Sequence, residues 1–340
     1  MKDLRDYSLL NHNTFGIEAK CSRFLEYASV EEAQQVAAIL RQEKAPLLII
    51  GGGSNLLLTK DFEGVVIHSA IKGHEVLTAE DENHVLLRVG SGEEWDGIVA
   101  LCVERGWQGA ENLSLIPGDV GASAVQNIGA YGSEASHIIY KVEAVELATG
   151  LVCEIMADEC QYGYRQSKFK TEWKNRFLIT HVTYCLKKQA GTLNIDYGNI
   201  RAELDRRNIK EPTLKELREV IIDIRNEKLP DPKIQGNAGS FFMNPVVSRE
   251  KFEELLAQYP QMPHYHVDDT HEKIPAGWMI DQCGWKGRSL GAAGVHDRQA
   301  LVLVNRGGAT GADVVKLCEQ IRKDVAERFG IQIYPEVNII

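Results

Sequence analysis

The stretch Gly236-Asn237-Ala238-Gly239-Ser240-Phe241-Phe242-Met243-Asn244-Pro245 is the part of the chain around which the other motifs are arranged. Its glycines and alanine let the backbone approach a ligand closely, because they carry little side-chain bulk. They place one hydroxyl, Ser240, directly before two aromatic rings. The preceding segment 228–233 is stiff and basic, since Pro230 and Pro232 restrict the backbone. Two interpretations stay open from this stretch alone: a ligand-binding loop, or a tight turn before a buried strand.

Length and composition limit the classes of protein that this chain can belong to. Its 340 residues predict two or three domains, and 44% hydrophobic with 25% charged residues is typical of a globular protein with a sizeable core. The net charge of −10 argues against a nucleic-acid partner. We find no apolar run of membrane-spanning length, no signal peptide and no Cys-x-x-Cys among the seven cysteines. These features predict a cytoplasmic protein without a membrane or nucleic-acid partner.

A glycine-rich segment follows the first buried strand that the sequence predicts. Residues 47–50 are all aliphatic and lead directly into Gly51-Gly52-Gly53-Ser54-Asn55. Consecutive N–H groups in such a segment can converge on an anion. The residues that follow, 56–59 and 65–67, are strand-like rather than helical, which disfavours a dinucleotide-binding Rossmann unit. A phosphate cradle and a structural glycine turn both remain open here.

Capping residues and apolar periodicity predict the remaining elements. Helices are predicted from Ser29 to about Lys44, from Glu93 to Glu104, from Thr213 to before Pro230, from Ser248 to about Tyr259, from Pro275 through Cys283 and from Thr310 onward. Strands are predicted at 85–89, 142–147, 151–155, 177–186, 300–305 and along the closing residues 331–340.

Three further features bear on function. Small residues recur between Gly118 and Gly132, which predicts a poor core and a suitable surface for a flat, extended ligand. Arg165 follows Tyr164 and could offer a bidentate fork to a carboxylate, although a surface arginine stacked on tyrosine is the alternative. Glu336 stands alone among apolar residues, where burial would favour its protonated form; an exposed edge carboxylate is the alternative. His264 and His266 lack partners for a zinc site, so we predict no metal.

Taken in order, these motifs resemble the UDP-N-acetylenolpyruvoylglucosamine reductase (UDP-N-acetylmuramate dehydrogenase) family over essentially the whole chain. The motifs that carry the resemblance are Asn13-Thr14-Phe15-Gly16, Gly51 to Asn55, Ile116-Pro117-Gly118 through Gly132, Tyr164-Arg165, Lys228 to Pro245 and Tyr334-Pro335-Glu336-Val337. Asp196-Tyr197-Gly198-Asn199 makes the chain similar to the longer, type I form. Met243 departs from the pattern, because relatives often carry a basic residue there.

The resemblance implies an α+β fold with a FAD-binding fold of the vanillyl-alcohol oxidase (PCMH) type in two subdomains. It implies FAD-binding subdomains at 1–70 and 71–229, with the PCMH-type region at about 17–188, a substrate-binding α+β domain at 230–330, and a C-terminal strand at 331–340 that carries Glu336. It further implies FAD as cofactor and NADPH as co-substrate. The implied reaction reduces an enolpyruvyl UDP-sugar to UDP-N-acetylmuramate for peptidoglycan. We expect small-molecule partners only, and a monomer.

The resemblance also assigns roles to residues of this sequence. The implied catalytic residues are Arg165, Ser240 and Glu336, with Ser240 as proton donor. Residues implied to bind FAD are Gly51, Gly52, Gly53, Ser54, Asn55, Gly118, Gly121, Ala122, Ser123, Asn127, Gly129 and Arg225. Residues implied to bind the nucleotide sugar are Tyr164, Tyr197, Lys228, Asn244, Lys286 and Gln299. Two other classes stay open: a flavin-dependent sugar or alcohol oxidase that shares only the cofactor domains, and a nucleotide-sugar binding protein without chemistry.

Overall fold

The computed structural model of this chain describes residues 1–79, 81–189 and 191–340. Its strands are Lys2–Ser8 (β1), Lys20–Tyr27 (β2), Leu47–Ile50 (β3), Leu56–Leu57 (β4), Phe62–Ser69 (β5), His74–Leu77 (β6), His84–Gly90 (β7), Gly129–Ala130 (β8), Ser133–Glu134 (β9), Ile139–Glu146 (β10), Val152–Met156 (β11), Phe177–Lys187 (β12), Asn237–Ser240 (β13), Val246–Ser248 (β14), Tyr265–Asp268 (β15), His271–Lys273 (β16), Ser289–Leu290 (β17), Ala293–Val295 (β18), Val302–Asn305 (β19) and Asn338–Ile339 (β20). Its α-helices are Val30–Leu40 (α1), Trp95–Glu104 (α2), Val120–Gln126 (α3), Ile200–Arg206 (α4), Leu214–Lys228 (α5), Arg249–Gln258 (α6), Ala276–Gln282 (α7) and Gly311–Phe329 (α8).

The chain divides into two compact units, each built from separate segments of the sequence. Unit 1 comprises Met1–Tyr7, Cys21–Gly52 and Glu63–Arg225. Unit 2 comprises Ser8–Lys20, Gly53–Phe62 and Asn226–Ile340. No helix among the described residues is long and apolar enough to cross a membrane.

Unit 1 contains two larger sheets and the short antiparallel pair β8–β9. The first has the strand order β1-β2-β5-β3, and β3 pairs with β5 in parallel, with Leu47 opposite Val65. The second has the order β11-β10-β12-β7-β6, and its pairs are antiparallel. The strand β12 lies at its centre, and its alternating residues Leu178, Val182 and Tyr184 are buried. Residues on both faces of β12 are buried, and its pairing with β10 and β7 confirms the strand that the sequence predicts at 177–186.

The helices of unit 1 follow the capping signals of the sequence. The hydroxyl of Ser29 accepts a hydrogen bond from the N–H of Glu32 at 3.2 Å, which begins α1 as predicted. Its apolar positions Ala33, Val36, Ala37 and Leu40 are all buried. The helix ends at Leu40, four residues before the predicted end. The predicted hairpin at 142–155 is confirmed by the antiparallel pair β10–β11.

Unit 2 contains two sheets and a short parallel pair. The sheets have the orders β13-β19-β18-β17 and β14-β16-β15, and β20 pairs with β4. The helix α8 packs its apolar side, including Val314, Leu317 and Ile321, into the unit's core. The predicted cap is confirmed, because the side chains of Thr310 and Asp313 each accept a hydrogen bond from the other's N–H.

Two predictions from the sequence were wrong. Residues 120–126 form the helix α3, with Gly121, Ser123 and Ala124 buried, so they are not the poor core that their small size predicts. Their small size allows close packing: the N–H of Gly121 donates to the carbonyl of Ser91 at 2.8 Å, so an added Cβ would press on Ser91. That the segment offers a surface for a flat ligand stays a prediction. The closing residues form a strand only at Asn338–Ile339. The segment before it makes an isolated antiparallel bridge, between Pro335 and Phe242.

Candidate active site

Ser240 lies at the end of β13, and the backbone around it is irregular. The pairing of β13 with β19 shifts register between Asn237 and Ser240, and Gly239 between them has φ +68°. A positive φ of this size favours glycine. Ser240 is exposed, whereas Phe241 and Phe242 are fully buried. The two buried rings anchor the strand end and leave the Ser240 hydroxyl at the surface of unit 2.

The C-terminal segment places Glu336 beside this strand end. The N–H of Glu336 donates to the carbonyl of Phe241 at 2.8 Å, and the N–H of Met243 donates to the carbonyl of Tyr334 at 2.9 Å. These two bonds enclose an antiparallel bridge between Phe242 and Pro335. Glu336 is half-buried. The structure therefore brings together two of the three predicted catalytic residues, which lie almost a hundred positions apart in the sequence.

An N-terminal segment fixes both the Ser240 stretch and the last residues of the predicted cradle. The Thr14 hydroxyl donates to the carbonyl of Asn237 at 2.6 Å, and the Thr14 N–H donates to that of Gly53 at 3.2 Å. An added Cβ at Gly236 would overlap the carbonyl of Phe15, and one at Gly53 would overlap the neighbouring backbone. The two glycine motifs therefore owe part of their composition to close backbone packing within unit 2.

Three of the residues predicted to bind substrate surround α7. The side-chain oxygen of Asn244 accepts from the N–H of Ala276 at 2.9 Å, at the first residue of α7. Gln299 lies against Gly277, because an added Cβ there would be 3.3 Å from its Oε1. Lys286 pairs with Asp281 of α7 at 3.6 Å. Separately, Lys228 is exposed at the last residue of α5. One helix of unit 2 thus organises Asn244, Gln299 and Lys286.

In unit 1 the first two glycines of the cradle lie against the start of α3. An added Cβ at Gly51 would be 3.1 Å from Cβ of Ala122, and one at Gly52 would be 3.2 Å from Cα of Gly118. Both positions also lie next to the carboxylate of Asp119. Two separate segments predicted to bind FAD are therefore adjacent in space. Glycine backbone of this kind can present N–H groups to an anionic cofactor group.

Three further predicted site residues of unit 1, one arginine and two tyrosines, lie in the segments that follow α3. Arg165 occupies a two-residue turn with φ +55°, and its guanidinium donates to the carbonyl of Gly129 at 2.6 Å. Tyr197, which is 49% exposed, packs on Gly132, since an added Cβ there would be 3.3 Å from its ring. Tyr164 is exposed on the same turn as Arg165, with its ring 5.5 Å from the guanidinium carbon.

Arg225 enters the same region from α5. Arg218, two turns earlier on α5, makes hydrogen bonds of 2.7 and 2.9 Å with the carboxylate of Asp96 and so fixes the helix. Burial lowers the pKa of Arg225, and the hydroxyl of Tyr131 and the charge of Asp96 oppose this effect. Within the described chain the buried Nε of Arg225 has no hydrogen-bond partner. A buried donor of this kind indicates a missing acceptor, which an anionic or carbonyl group of FAD would supply.

Two predicted FAD contacts use their side chains inside the protein. The Ser123 hydroxyl donates to the carbonyl of Val120 at 2.7 Å and lies 2.7 Å from the hydroxyl of Tyr184. Asn127, with φ +45°, donates to Glu134 at 2.7 Å and to the carbonyl of Gly163 at 2.9 Å. These side chains support α3 and the turn that follows it. Their prediction as cofactor contacts is not tested by this geometry.

Sequence reasoning passed over several residues that organise the site. Thr14 was part of a quoted motif but was given no role, Tyr131 is the partner of Arg225, and Asp119 lies against the cradle glycines. The only sequence signal for these three residues is their position inside the glycine-rich motifs. No group of three or more His, Cys, Asp or Glu residues in the described ranges could hold a metal ion.

Comparisons with known proteins identify the domains and the fold of this chain. A family model described as UDP-N-acetylenolpyruvoylglucosamine reductase, C-terminal domain, matches residues 231–340, and one described as FAD binding domain matches residues 22–155. A solved structure of UDP-N-acetylenolpyruvylglucosamine reductase from Thermus caldophilus shares the fold, with a TM-score of 0.68 and 22% identity over 99% of this chain and 98% of that one. The predicted fold class is thereby confirmed.

Curated relatives extend over the whole chain. The UDP-N-acetylenolpyruvoylglucosamine reductase of Bacteroides fragilis is 56% identical over 336 residues, which are 98% of this chain and 99% of the relative. The enzyme of the same name from Flavobacterium johnsoniae is 46% identical over 335 residues, 98% of each chain. The chain belongs to the UDP-N-acetylenolpyruvoylglucosamine reductase family.

Proposed function

We propose that this protein uses NADPH to reduce the enolpyruvyl group of UDP-N-acetyl-3-O-(1-carboxyvinyl)-glucosamine, giving UDP-N-acetylmuramate for peptidoglycan synthesis. It is an FAD-containing oxidoreductase. The observation that carries the proposal is the backbone pairing that holds Glu336 beside the Ser240 strand end, within a chain that belongs to this family.

The residues of the cradle and of α5 would hold FAD. Gly51 to Asn55 would offer backbone N–H groups for its diphosphate, Gly118 and Ala122 pack closely against the first two of these glycines, and the unsatisfied Nε of Arg225 would supply a further donor. Bound FAD would supply the hydride chemistry, passing a hydride from NADPH to the terminal carbon of the substrate. Ser123, Asn127, Gly121 and Gly129 keep α3 and the following turn in place.

Negative charge develops on the substrate as its double bond is reduced, because the enolpyruvyl group is conjugated to a carboxylate. We assign Arg165 and Glu336 to stabilise that charge. The guanidinium of Arg165 is oriented in advance by the carbonyl of Gly129, so its remaining donors need little reorganisation. One preorganised donor is commonly worth ~3 kcal/mol in a transition state. The carboxyl group of Glu336 contributes as a hydrogen-bond donor.

Ser240 then donates a proton to the adjacent carbon. A serine hydroxyl is a weak acid, but a carbanion-like centre is a strong base, so a hydroxyl that is held in place suffices. The exposed position of Ser240 on an anchored strand end supports this role. Tyr164, Tyr197, Lys228, Asn244, Lys286 and Gln299 are proposed to contact the nucleotide sugar.

We further propose that the protein acts as a monomer in the cytoplasm. The acidic net charge of −10 supports small-molecule partners rather than nucleic acid. We propose that residues 1–70 and 71–229 carry the two FAD-binding subdomains and that residues 230–330 bind the substrate. Residues 331–340 supply Glu336.

Two half-reactions measured on the purified protein test the function. Under anaerobic conditions NADPH should bleach the flavin absorbance, and the enolpyruvyl substrate should restore it with formation of UDP-N-acetylmuramate, identified by mass. A protein that binds FAD but is reoxidised by oxygen and not by this substrate would be a flavin oxidase. A protein that binds the UDP-sugar and no FAD would be a binding protein, and the proposal would be wrong.

A further inference from the structure

A series of ionic contacts between side chains leads from the first sheet of unit 1 to the cradle glycines. The ammonium of Lys2 lies 2.6 Å from Oε1 of Glu26, and Oε2 of Glu26 lies 3.0 Å from Nδ1 of His68. Nε2 of His68 lies 3.5 Å from Oδ2 of Asp119. The three linked residues Lys2, Glu26 and His68 come from neighbouring strands, β1, β2 and β5.

The last residue in this series of contacts is Asp119, whose carboxylate lies beside the cradle. Its Oδ1 would be 3.2 Å from an added Cβ at Gly52, and its Oδ2 would be 3.4 Å from one at Gly51. Asp119 precedes α3 but makes no side-chain capping hydrogen bond. The carboxylate is therefore not needed to begin the helix, and its ionic contact is with His68. An unneutralised carboxylate here would repel a diphosphate on the cradle.

Packing holds the His68 ring in this position. The ring stacks on Phe24 with centroids 6.3 Å apart, and Phe24 stacks on Tyr7 at 4.3 Å. The side chains of Glu26, His68 and Asp119 are only 12, 16 and 16% exposed. Because water screens these charges weakly, the state of the imidazole decides the net charge beside Gly51 and Gly52.

We infer that protonated His68 is a positioning residue for the cofactor: it neutralises and orients Asp119 so that the cradle at Gly51 and Gly52 accepts the FAD diphosphate. The inference rests on the proposed function, in which this cradle binds FAD. FAD binding then depends on the charge of His68 as well as on the glycine backbone.

The charges that face His68 agree with this state. Burial alone lowers the pKa of His68, but hydrogen bonds and charges from Asp119 and Glu26 outweigh burial and raise it above 6.5. Burial likewise opposes the charge of Glu26, yet Lys2 and His68 hold its pKa below the usual range. The imidazolium is therefore present at low pH and is lost as pH rises through its raised pKa. The Asp119 carboxylate beside the cradle then faces a neutral imidazole.

The test measures FAD release from the holoenzyme by recovery of flavin fluorescence on dilution, from roughly pH 6 to 8.5. The dissociation constant of the wild type should rise about tenfold across this range, equivalent to one pKa unit of coupling. His68→Gln should be about tenfold weaker at the low end and should lose the pH dependence. Asp119→Asn should bind at least as tightly as the wild type and also lose it, and the double variant should recover most of the loss of His68→Gln.

The double variant separates electrostatics from packing. If His68→Gln and the double variant release FAD equally fast, or if Asp119→Asn keeps the wild-type pH dependence, His68 has only a structural role and the inference is wrong. A wild type that binds FAD with no pH dependence refutes the inference and leaves the proposed function intact. A wild type that binds no FAD at any pH refutes both.

Discussion

Replacing Ser240 with alanine separates the proposed chemistry from the fold. The change removes one oxygen from an exposed side chain at the end of β13. Phe241 and Phe242, which anchor this strand end, are untouched. The side chain of Ser240 makes no hydrogen bond in the described parts of the chain. We therefore expect no cavity, no unsatisfied buried group and no change in FAD content.

The structure sets the expected magnitudes. A surface substitution without special contacts changes the free energy of unfolding by about 0.5 kcal/mol or less. Loss of a positioned proton donor lowers a rate by roughly 10²–10⁴-fold, or about 3–5 kcal/mol in the activation free energy. We expect flavin reduction by NADPH to stay near the wild-type rate, because that step needs no proton from Ser240. Product formation should fall by the full factor.

Ser248→Ala is the matched control in the same unit. Its hydroxyl accepts a hydrogen bond from the N–H of Lys251 at 3.3 Å and begins α6. Its removal should cost about 1 kcal/mol of stability and leave both half-reactions intact. Ser240→Ala should thus lower turnover and leave the thermal unfolding temperature unchanged, whereas Ser248→Ala should lower the unfolding temperature and leave turnover unchanged.

Stopped-flow absorbance measures flavin bleaching and recovery, and quenched samples measure UDP-N-acetylmuramate. Product must be followed directly, because hydride transfer and protonation can occur in separate steps. If Ser240→Ala forms product at the wild-type rate, the proton comes from elsewhere. The Ser240 stretch would then be a structural feature that precedes buried aromatic residues.

Three other substitutions test other parts of the proposal. Tyr197→Ala should weaken substrate binding and leave flavin reduction by NADPH nearly unchanged, because its ring is half-exposed on Gly132; equal loss in both half-reactions would mean a structural role. Arg165→Lys keeps the charge but loses the planar fork, so reoxidation by substrate should slow at normal FAD content, and normal turnover would remove Arg165 from the catalytic set. Gly236→Ala should lower the unfolding free energy by about 1–3 kcal/mol, because its Cβ would overlap the backbone of Phe15, whereas Gly97→Ala, inside α2 with open space around it, should be neutral or stabilising in the same thermal denaturation; equal effects of the two would refute the packing argument.

Local patterns accounted for much of the secondary structure. The caps at Ser29, Ser248 and Thr310 predicted where α1, α6 and α8 begin, because a capping side chain bonds only to backbone within three residues. Helix ends were predicted less well, as α1 shows. The strand β12 was evident because its pattern of residue types is a property of the segment itself, although the sheet buries residues on both of its faces.

The packing of segment 118–132 could not be predicted from local sequence. Small residues are compatible with an open surface and with very close packing, and only the position of Ser91 against Gly121 decides between them. The same holds for the single acid Glu336, whose place beside the Ser240 strand end depends on backbone pairing between distant segments.

By itself the sequence determined the family motifs, the residue types available for chemistry and the starts of most helices. The tertiary structure alone decided which motifs meet: Gly51 and Gly52 with Asp119, Arg165 with the carbonyl of Gly129, and His68 with Asp119. The physical reason is that each of these contacts joins residues far apart in the chain. Its formation depends on how whole strands and helices pack, whereas a cap or an alternating strand depends only on its immediate neighbours.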